Sequence, residues 1–206
     1  MRRLARAFFA RPVLDVAADL LGRHVEHAGV TVRISETEAY AGRVDPASRV
    51  LSRPTAHNAP VFGPAGHAFV YFTYGHHWML CVVTGEEDVP EVVLLRAGEV
   101  VAGHEAAAGR RPGVTERDWC RGPGRLTQAL GVTGAMSGLD LCAPGSPLVI
   151  GAGRAVAAAG LRTGARVGVS GPGGDDTAYP WRFWVDGDPT VSAFRPGVRR
   201  RVERGR

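Results

Sequence analysis

The sequence predicts a single mixed α+β domain, on three observations. A few short stretches repeat apolar residues at helical spacing, more of them alternate apolar and polar residues as strands do, and no linker-like tract divides the 206 residues. A chain of that length buries one substantial core. Hydrophobic residues at 45% and charged residues at 22% suit a globular chain rather than a disordered one.

The elements follow in order. Residues 12–21 carry Val13, Val16, Ala17, Leu20 and Leu21 on one helical face, and Gly22 is placed to stop the helix. Strands are expected at 24–26 and 30–40, around a turn at Ala28 and Gly29. In the second of them Val32 and Ile34 share parity with Glu36, Glu38 and Tyr40, so simple alternation makes the two acids continue an apolar face. Residues 41–66, rich in Pro, Gly, Ser and Arg, form a long loop, and such loops inside compact domains are more often functional than accidental. HAFVYFTYG then places Phe69, Tyr71 and Thr73 on one strand face and Val70, Phe72 and Tyr74 on the other. Two further strands cover 78–84 and 91–97, the latter ending in LLRA with Arg96 just inside its end. Gly122-Pro123-Gly124 opens a short helix with Leu126, Ala129 and Leu130 inward and Gly131 as its stop. In the last third, strands are expected at 147–150, 165–170, 181–185 and 191–193, and 152–161 fits no one element. The tail 195–206 holds six arginines among twelve residues and reads as a solvated, disordered extension.

Composition excludes several classes. No apolar run approaches the ~20 residues of a membrane span, and the start MRRLARAFFARP runs into Pro12 and Asp15 rather than into a signal-peptide core. A cytoplasmic protein is expected. Cys81, Cys120 and Cys142 are odd in number and form no CxxC pair, which argues against a disulfide framework or a zinc knuckle. A net charge of +5 and a pI near 9.7 give a modest pull toward polyanions. The chain contains no lysine, so all 25 basic residues are arginine. Chemistry through a lysine Schiff base is thereby excluded, leaving only the amino terminus as an amine.

Several residues can carry chemistry. A carboxylate at Glu38 on the inward face of a strand incurs a desolvation cost unless it has a task, although acids at i and i+2 also suit an exposed stripe paired with arginines. Tyr40 on the same face favours a flat ring bound beside a general base. Tyr71 and Tyr74 point to opposite strand faces, so either the sheet is covered on both sides or one of them has an unusual target. Arg96 needs a carboxylate or phosphate if buried, and none if it ends a strand in solvent. His76 and His77 are adjacent, diverge if extended, and make a poor metal pair.

Taken together, the stretches ARPVLDVAADLLGR, ISETEAYAGRVDPAS, VFGPAGHAFVYFTYG, VVLLRAGE and RGPGRLTQALGV resemble the alkyladenine (3-methyladenine, methylpurine) DNA glycosylase family in order and spacing. ARVGVSG and the WRFWV-to-VS ending resemble it more weakly. The resemblance implies a domain built around a curved antiparallel β-sheet with flanking helices. It implies a monomer acting on double-stranded DNA containing damaged purines, in the bacterial cytoplasm, with no metal and no organic cofactor. Glu38 would activate the hydrolytic water, Tyr40 and Tyr71 would sandwich the extruded purine, Tyr74 would wedge into the gap, and Arg96 would organise water and backbone beside Glu38.

The energetics are coherent. Extruding a nucleotide costs a few kcal/mol, and each base-on-aromatic stack returns on the order of 1 to 3 kcal/mol. Direct hydrolysis needs no amine, so the missing lysine fits an enzyme that leaves an abasic site without cutting the strand. Two positions depart from the family's pattern: Arg49 stands where most relatives have His, and Cys81 where most have Asn. With Val61 and Thr73 they point to altered lesion specificity in a wider or shifted base pocket. Two other readings compete. One is a lesion-binding sensor of the same fold. The other is a sugar hydrolase pairing Glu36 or Glu38 with Asp45, which requires two carboxylates at a fixed separation.

Overall fold

Two long antiparallel strands form the spine of the molecule: β2 (Val30–Tyr40) and β5 (Glu91–Ala102) pair along most of their length. The computed structural model describes residues 1–48, 53–73 and 75–198. Around the spine lie β1 (His24–His27), β3 (Ala68–Thr73), β4 (His77–Thr84), β6 (Leu148–Gly151), β7 (Leu161–Gly164) and β8 (Arg182–Val185). All eight strands join one antiparallel sheet in the order β3-β4-β5-β2-β1-β6, which does not close into a barrel. Beside β2, the edge that β1 occupies at Val30–Arg33 is taken further along by β8 at Glu36–Glu38, with β7 outside it.

Among the described residues four α-helices complete the α+β fold: α1 (Arg6–Phe9), α2 (Val13–Asp19), α3 (His104–Arg110) and α4 (Pro123–Leu130). The main core lies where α2 and α4 press Val13, Val16, Ala17, Leu126, Ala129 and Leu130 onto one face of the sheet. α4 starts with Pro123, whose missing N–H is no loss in a first turn, and stops at Gly131, whose φ of 75° suits the left-handed cap. None of the helices among the described residues is long and apolar enough to cross a membrane.

The spine departs from simple alternation. Register shifts interrupt β2·β5 between Ile34 and Glu36 and again between Glu36 and Thr37, one extra residue on each strand. Val30, Val32 and Ile34 face the main core before this pair of bulges, and Ala39 faces it after them. Thr37 confirms the inversion by donating from Oγ1 to the Ala17 carbonyl of α2 at 2.8 Å. On β5 the same switch runs from Val93 and Leu95 to Val100. A one-residue slip exchanges the faces of everything beyond it. Glu36, Glu38 and Tyr40 therefore leave the core face instead of continuing it, which corrects the expectation from parity. Gly98 enables the close approach, since a Cβ there would overlap the Arg33 carbonyl and Val32 Cγ1.

Two expected strands are loops. Residues 165–170 and 191–193 carry no strand: the Val167 N–H goes to Glu38 and the Ser192 N–H to Glu36, while the Gly168 and Val191 N–H groups close loop contacts to the Arg195 and Asp188 carbonyls. Gly168 and Gly171, with φ of 73° and 79°, also turn the first segment. The region that fitted no one element ends in a 3₁₀ turn, Ala158–Gly160, that leads into β7 at Leu161, and α3 was not expected.

Candidate active site

Across the sheet face opposite the helices, one row of paired residues runs Phe69, Cys81, Leu94, Glu38, Arg182, on β3, β4, β5, β2 and β8 in turn. Phe69, Cys81 and Leu94 belong to a second, smaller apolar cluster with Val61 and Phe62 from a short 3₁₀ turn, and Tyr40 and Tyr71 pack against it. Tyr71 stacks on Phe69 with ring centroids 5.3 Å apart and planes 25° from parallel. The inversion in the spine thus sets a carboxylate at the border of an aromatic-lined apolar patch.

Glu36 and Glu38 are both fully buried but differ in how they are held. Glu36 Oε1 accepts from Arg182 Nε at 2.6 Å, Arg96 Nε at 3.1 Å and Ser192 Oγ at 3.0 Å, and its Oε2 accepts from the Ser192 N–H at 2.8 Å. Three of those four contacts converge on Oε1, so two guanidiniums and a hydroxyl fix this carboxylate. Among the described residues, Glu38 Oε1 accepts from the Val167 N–H at 2.7 Å and lies 3.3 Å from Arg96 Nη1, and Oε2 accepts only from the Tyr40 hydroxyl, at 2.9 Å. Oε2 of Glu38 keeps acceptor capacity, and Glu38, unlike Glu36, is tied through that oxygen to Tyr40, which packs on the apolar cluster.

Neighbouring groups are tuned by this pair. Burial, followed by the Glu38 charge, pushes the Tyr40 phenol well above its ordinary value, so it stays protonated and donates. Burial alone would weaken the charge on Arg96, but the Glu38 and Glu36 carboxylates outweigh it and raise the guanidinium further. The Cys81 thiol is raised by burial and then by Glu38, which keeps it neutral and unreactive.

A third buried pair braces the site from behind. Arg166 Nη1 and Nη2 reach Asp45 Oδ2 and Oδ1 at 2.5 and 2.7 Å, and the same guanidinium donates to the carbonyls of Ala39 and Gly173. Its Cζ lies 4.7 Å from the Tyr40 ring centroid and 5.2 Å from that of Trp181, so it is held between two aromatic faces. Among the described residues the buried carboxylates are Glu36, Glu38 and Asp45 and the buried guanidiniums Arg96, Arg166 and Arg182, three against three. Lone buried ions are costly, and matching them one for one avoids that cost.

The structure brings Glu38, Tyr40, Tyr71, Cys81 and Val61 together, with Arg96 adjoining. Thr73, half-buried and paired with His77 at the end of β3, lies outside the cluster. Arg49 and Tyr74 fall outside the described residues, as does 199–206 of the arginine-rich tail. The exposed-stripe alternative for Glu36 and Glu38 is overturned by their full burial. Asp45 is engaged by Arg166 and by the N–H groups of Ala41 and Ala47, which removes it as a partner acid for sugar hydrolysis. His76 and His77 do not diverge, because His76 sits in the turn before β4; their ring centroids are 4.0 Å apart. Among the described residues no three His, Cys, Asp or Glu side chains gather as a metal site.

Sequence reasoning missed Arg166, Arg182 and Ser192. The available signal was charge accounting: two acids on an inward strand face require cations from elsewhere in the chain.

Comparison with known proteins identifies the family. The model of the family described as methylpurine-DNA glycosylase (MPG) matches residues 7–189. A Streptomyces avermitilis protein named "Putative 3-methyladenine DNA glycosylase" is 47% identical over 204 residues, covering 96% of this chain and 94% of its own. Proteins of the same name from Frankia casuarinae and Methanocella arvoryzae are 48% and 40% identical, each covering 94% of this chain, and 94% and 98% of their own lengths. With the family model matched over residues 7–189 and relatives this similar over nearly the full length, the chain belongs to the methylpurine-DNA glycosylase family.

Proposed function

We propose that the protein is a monofunctional DNA glycosylase that hydrolyses the N-glycosidic bond of alkylated purines turned out of duplex DNA. The observation that carries this reading is the buried Glu38, with spare acceptor capacity at Oε2, beside Arg96 and an apolar cluster bearing Tyr40 and Tyr71. In the reaction, water oxygen bonds to C1′, Glu38 takes its proton, and the glycosidic electron pair leaves with the base. The Glu38 charge also favours the cationic sugar as it forms. Tyr40 and Tyr71 stack on the extruded purine, Tyr74 enters the gap it leaves, and the protein works as one domain and as a monomer. Arg96 holds the carboxylate in place, and its fixed proton prevents it from competing as a base.

Incubation with methylated duplex DNA tests the reading. Free 3-methyladenine is expected in the supernatant, with strand breaks appearing only after alkali. Absence of released base, or cutting without alkali, would overturn it.

Specificity follows from the row across the sheet. Cys81 offers a small neutral thiol facing the same side as Glu38, where an asparagine would present a bulkier amide. Together with Arg49 and Val61 it admits bulkier purines or those bearing an N2 amino group, such as alkylguanines. Cys81→Asn should lower the ratio of 7-methylguanine to 3-methyladenine release by about 10-fold or more, in the range of a single steric or polar mismatch in a pocket. An unchanged ratio in a folded variant would remove Cys81 from the specificity argument.

A further inference from the structure

The bond that ties the Tyr40 ring to Glu38 leaves the plane of that ring undetermined. The hydroxyl donates to Glu38 Oε2 at 2.9 Å, but a phenol oxygen lies on the very axis about which the ring turns, so the contact places the tip and not the face. The rotation itself has only a broad intrinsic preference in tyrosine. A group lying over one face is what fixes the plane.

Arg166 is that group. Its Cζ lies over the Tyr40 ring at 4.7 Å from the centroid, and the Trp181 ring backs it at 5.2 Å. A planar guanidinium makes a flat contact of this kind and is drawn to the π face by its charge. Asp45, together with the carbonyls of Ala39 and Gly173, prevents the cation from drifting. The same clasp reaches the backbone that carries the ring. Ala39, next to Tyr40, gives its carbonyl to Arg166 Nη1 at 2.8 Å and its N–H to the Trp181 carbonyl at 2.9 Å. Among the described residues the buried Nε of Arg166 has no hydrogen-bond partner, so the two rings, and not an acceptor, cover that edge of the guanidinium. At 1% exposed, Arg166 is out of reach of a substrate and can act only through what it holds.

We propose that Arg166, backed by Trp181, is a positioning residue for base excision: it occupies one face of Tyr40, fixes the ring plane, and leaves an extruded purine only the opposite face. The proposal rests on the glycosylase reading for its substrate. A stack whose plane is set in advance also sets the glycosidic bond relative to Glu38, because the same tyrosine is hydrogen-bonded to that carboxylate. A displacement of about 1 Å in such an arrangement can cost on the order of 10²-fold in rate.

Single-turnover release of 3-methyladenine from methylated duplex, expressed per folded molecule by circular dichroism and measured well below each melting temperature, tests the role. Trp181→Leu removes the ring behind the guanidinium but keeps the backbone carbonyl that Ala39 uses and the Asp45–Arg166 pair. It should slow release about tenfold, and Trp181→Phe, which restores an aromatic face, should recover the rate to within about threefold of wild type. The Asp45→Asn/Arg166→Met double variant, in which no buried charge is left alone, should also lose about tenfold or more. Repeating Trp181→Leu in a Tyr40→Leu background shows whether the effect passes through the ring. There it should cost less than about twofold, since nothing remains to be placed, whereas a general brace of the fold would cost the same factor in both backgrounds. Wild-type rates in Trp181→Leu and in the double variant, or equal losses with and without Tyr40, would overturn the role while wild type still releases base. A wild-type protein that releases none defeats the glycosylase reading itself.

Discussion

Replacing Glu38 by glutamine is expected to slow base release by about 10²- to 10⁴-fold, the contribution of a positioned general base. The amide keeps the shape of the carboxylate and can still accept from the Val167 N–H, but it cannot take a proton from water. Glu36→Gln supplies the contrast. Glu36 is held by Arg96, Arg182 and Ser192 away from the apolar cluster, so its amide should cost stability and leave the rate per folded molecule within a few-fold. Single-turnover release from methylated duplex, with thermal melts and duplex binding for each variant, separates the two roles. If Glu38→Gln binds and cleaves at wild-type speed, the catalytic assignment is wrong. If it binds tightly and neither it nor wild type releases base, the lesion-sensor reading replaces it.

Arg166→Met should produce the largest loss of stability. It strips the bidentate partner from the buried Asp45 and removes the cation lying between Tyr40 and Trp181. Leaving one ion of a buried pair alone costs about 3–5 kcal/mol, which in a protein of this size lowers Tm by roughly 10 °C. Asp45→Asn alone strands the arginine and should behave similarly. The double variant should lose clearly less than the two single losses added together, because no uncompensated charge remains. Strict additivity in a double-mutant cycle would show that the pair is not coupled as its geometry requires.

The bounds of β2 were legible because alternation over eleven residues is an unambiguous local signal, and α4 was legible from its Pro start and Gly stop. Glu38, Tyr40, Tyr71 and Arg96 were legible as candidates for the same reason: charged or polar rings inside strands stand out. Which face they occupied was not legible, since parity inverts at a bulge pair whose trace in the sequence is Gly98 in the middle of β5. Residues 165–170 and 191–193 misled for a related reason. Their composition suits strands, but tertiary demand from Glu36 and Glu38 claims the amides that a ladder would use. Arg166, Arg182 and Ser192 are remote in sequence from the acids they serve, and local pattern contains nothing about such distances.

The three interior guanidiniums impose a rule on how this protein can vary. A lysine stranded by loss of its acid can shed a proton and become neutral; an arginine cannot. Positions 36 and 45 are therefore tied to their cations by interior neutrality, whether or not they touch a substrate. Viable change at either site should arrive as a coordinated exchange of both members, and a library screened for folded variants should recover such paired substitutions far more often than lone ones.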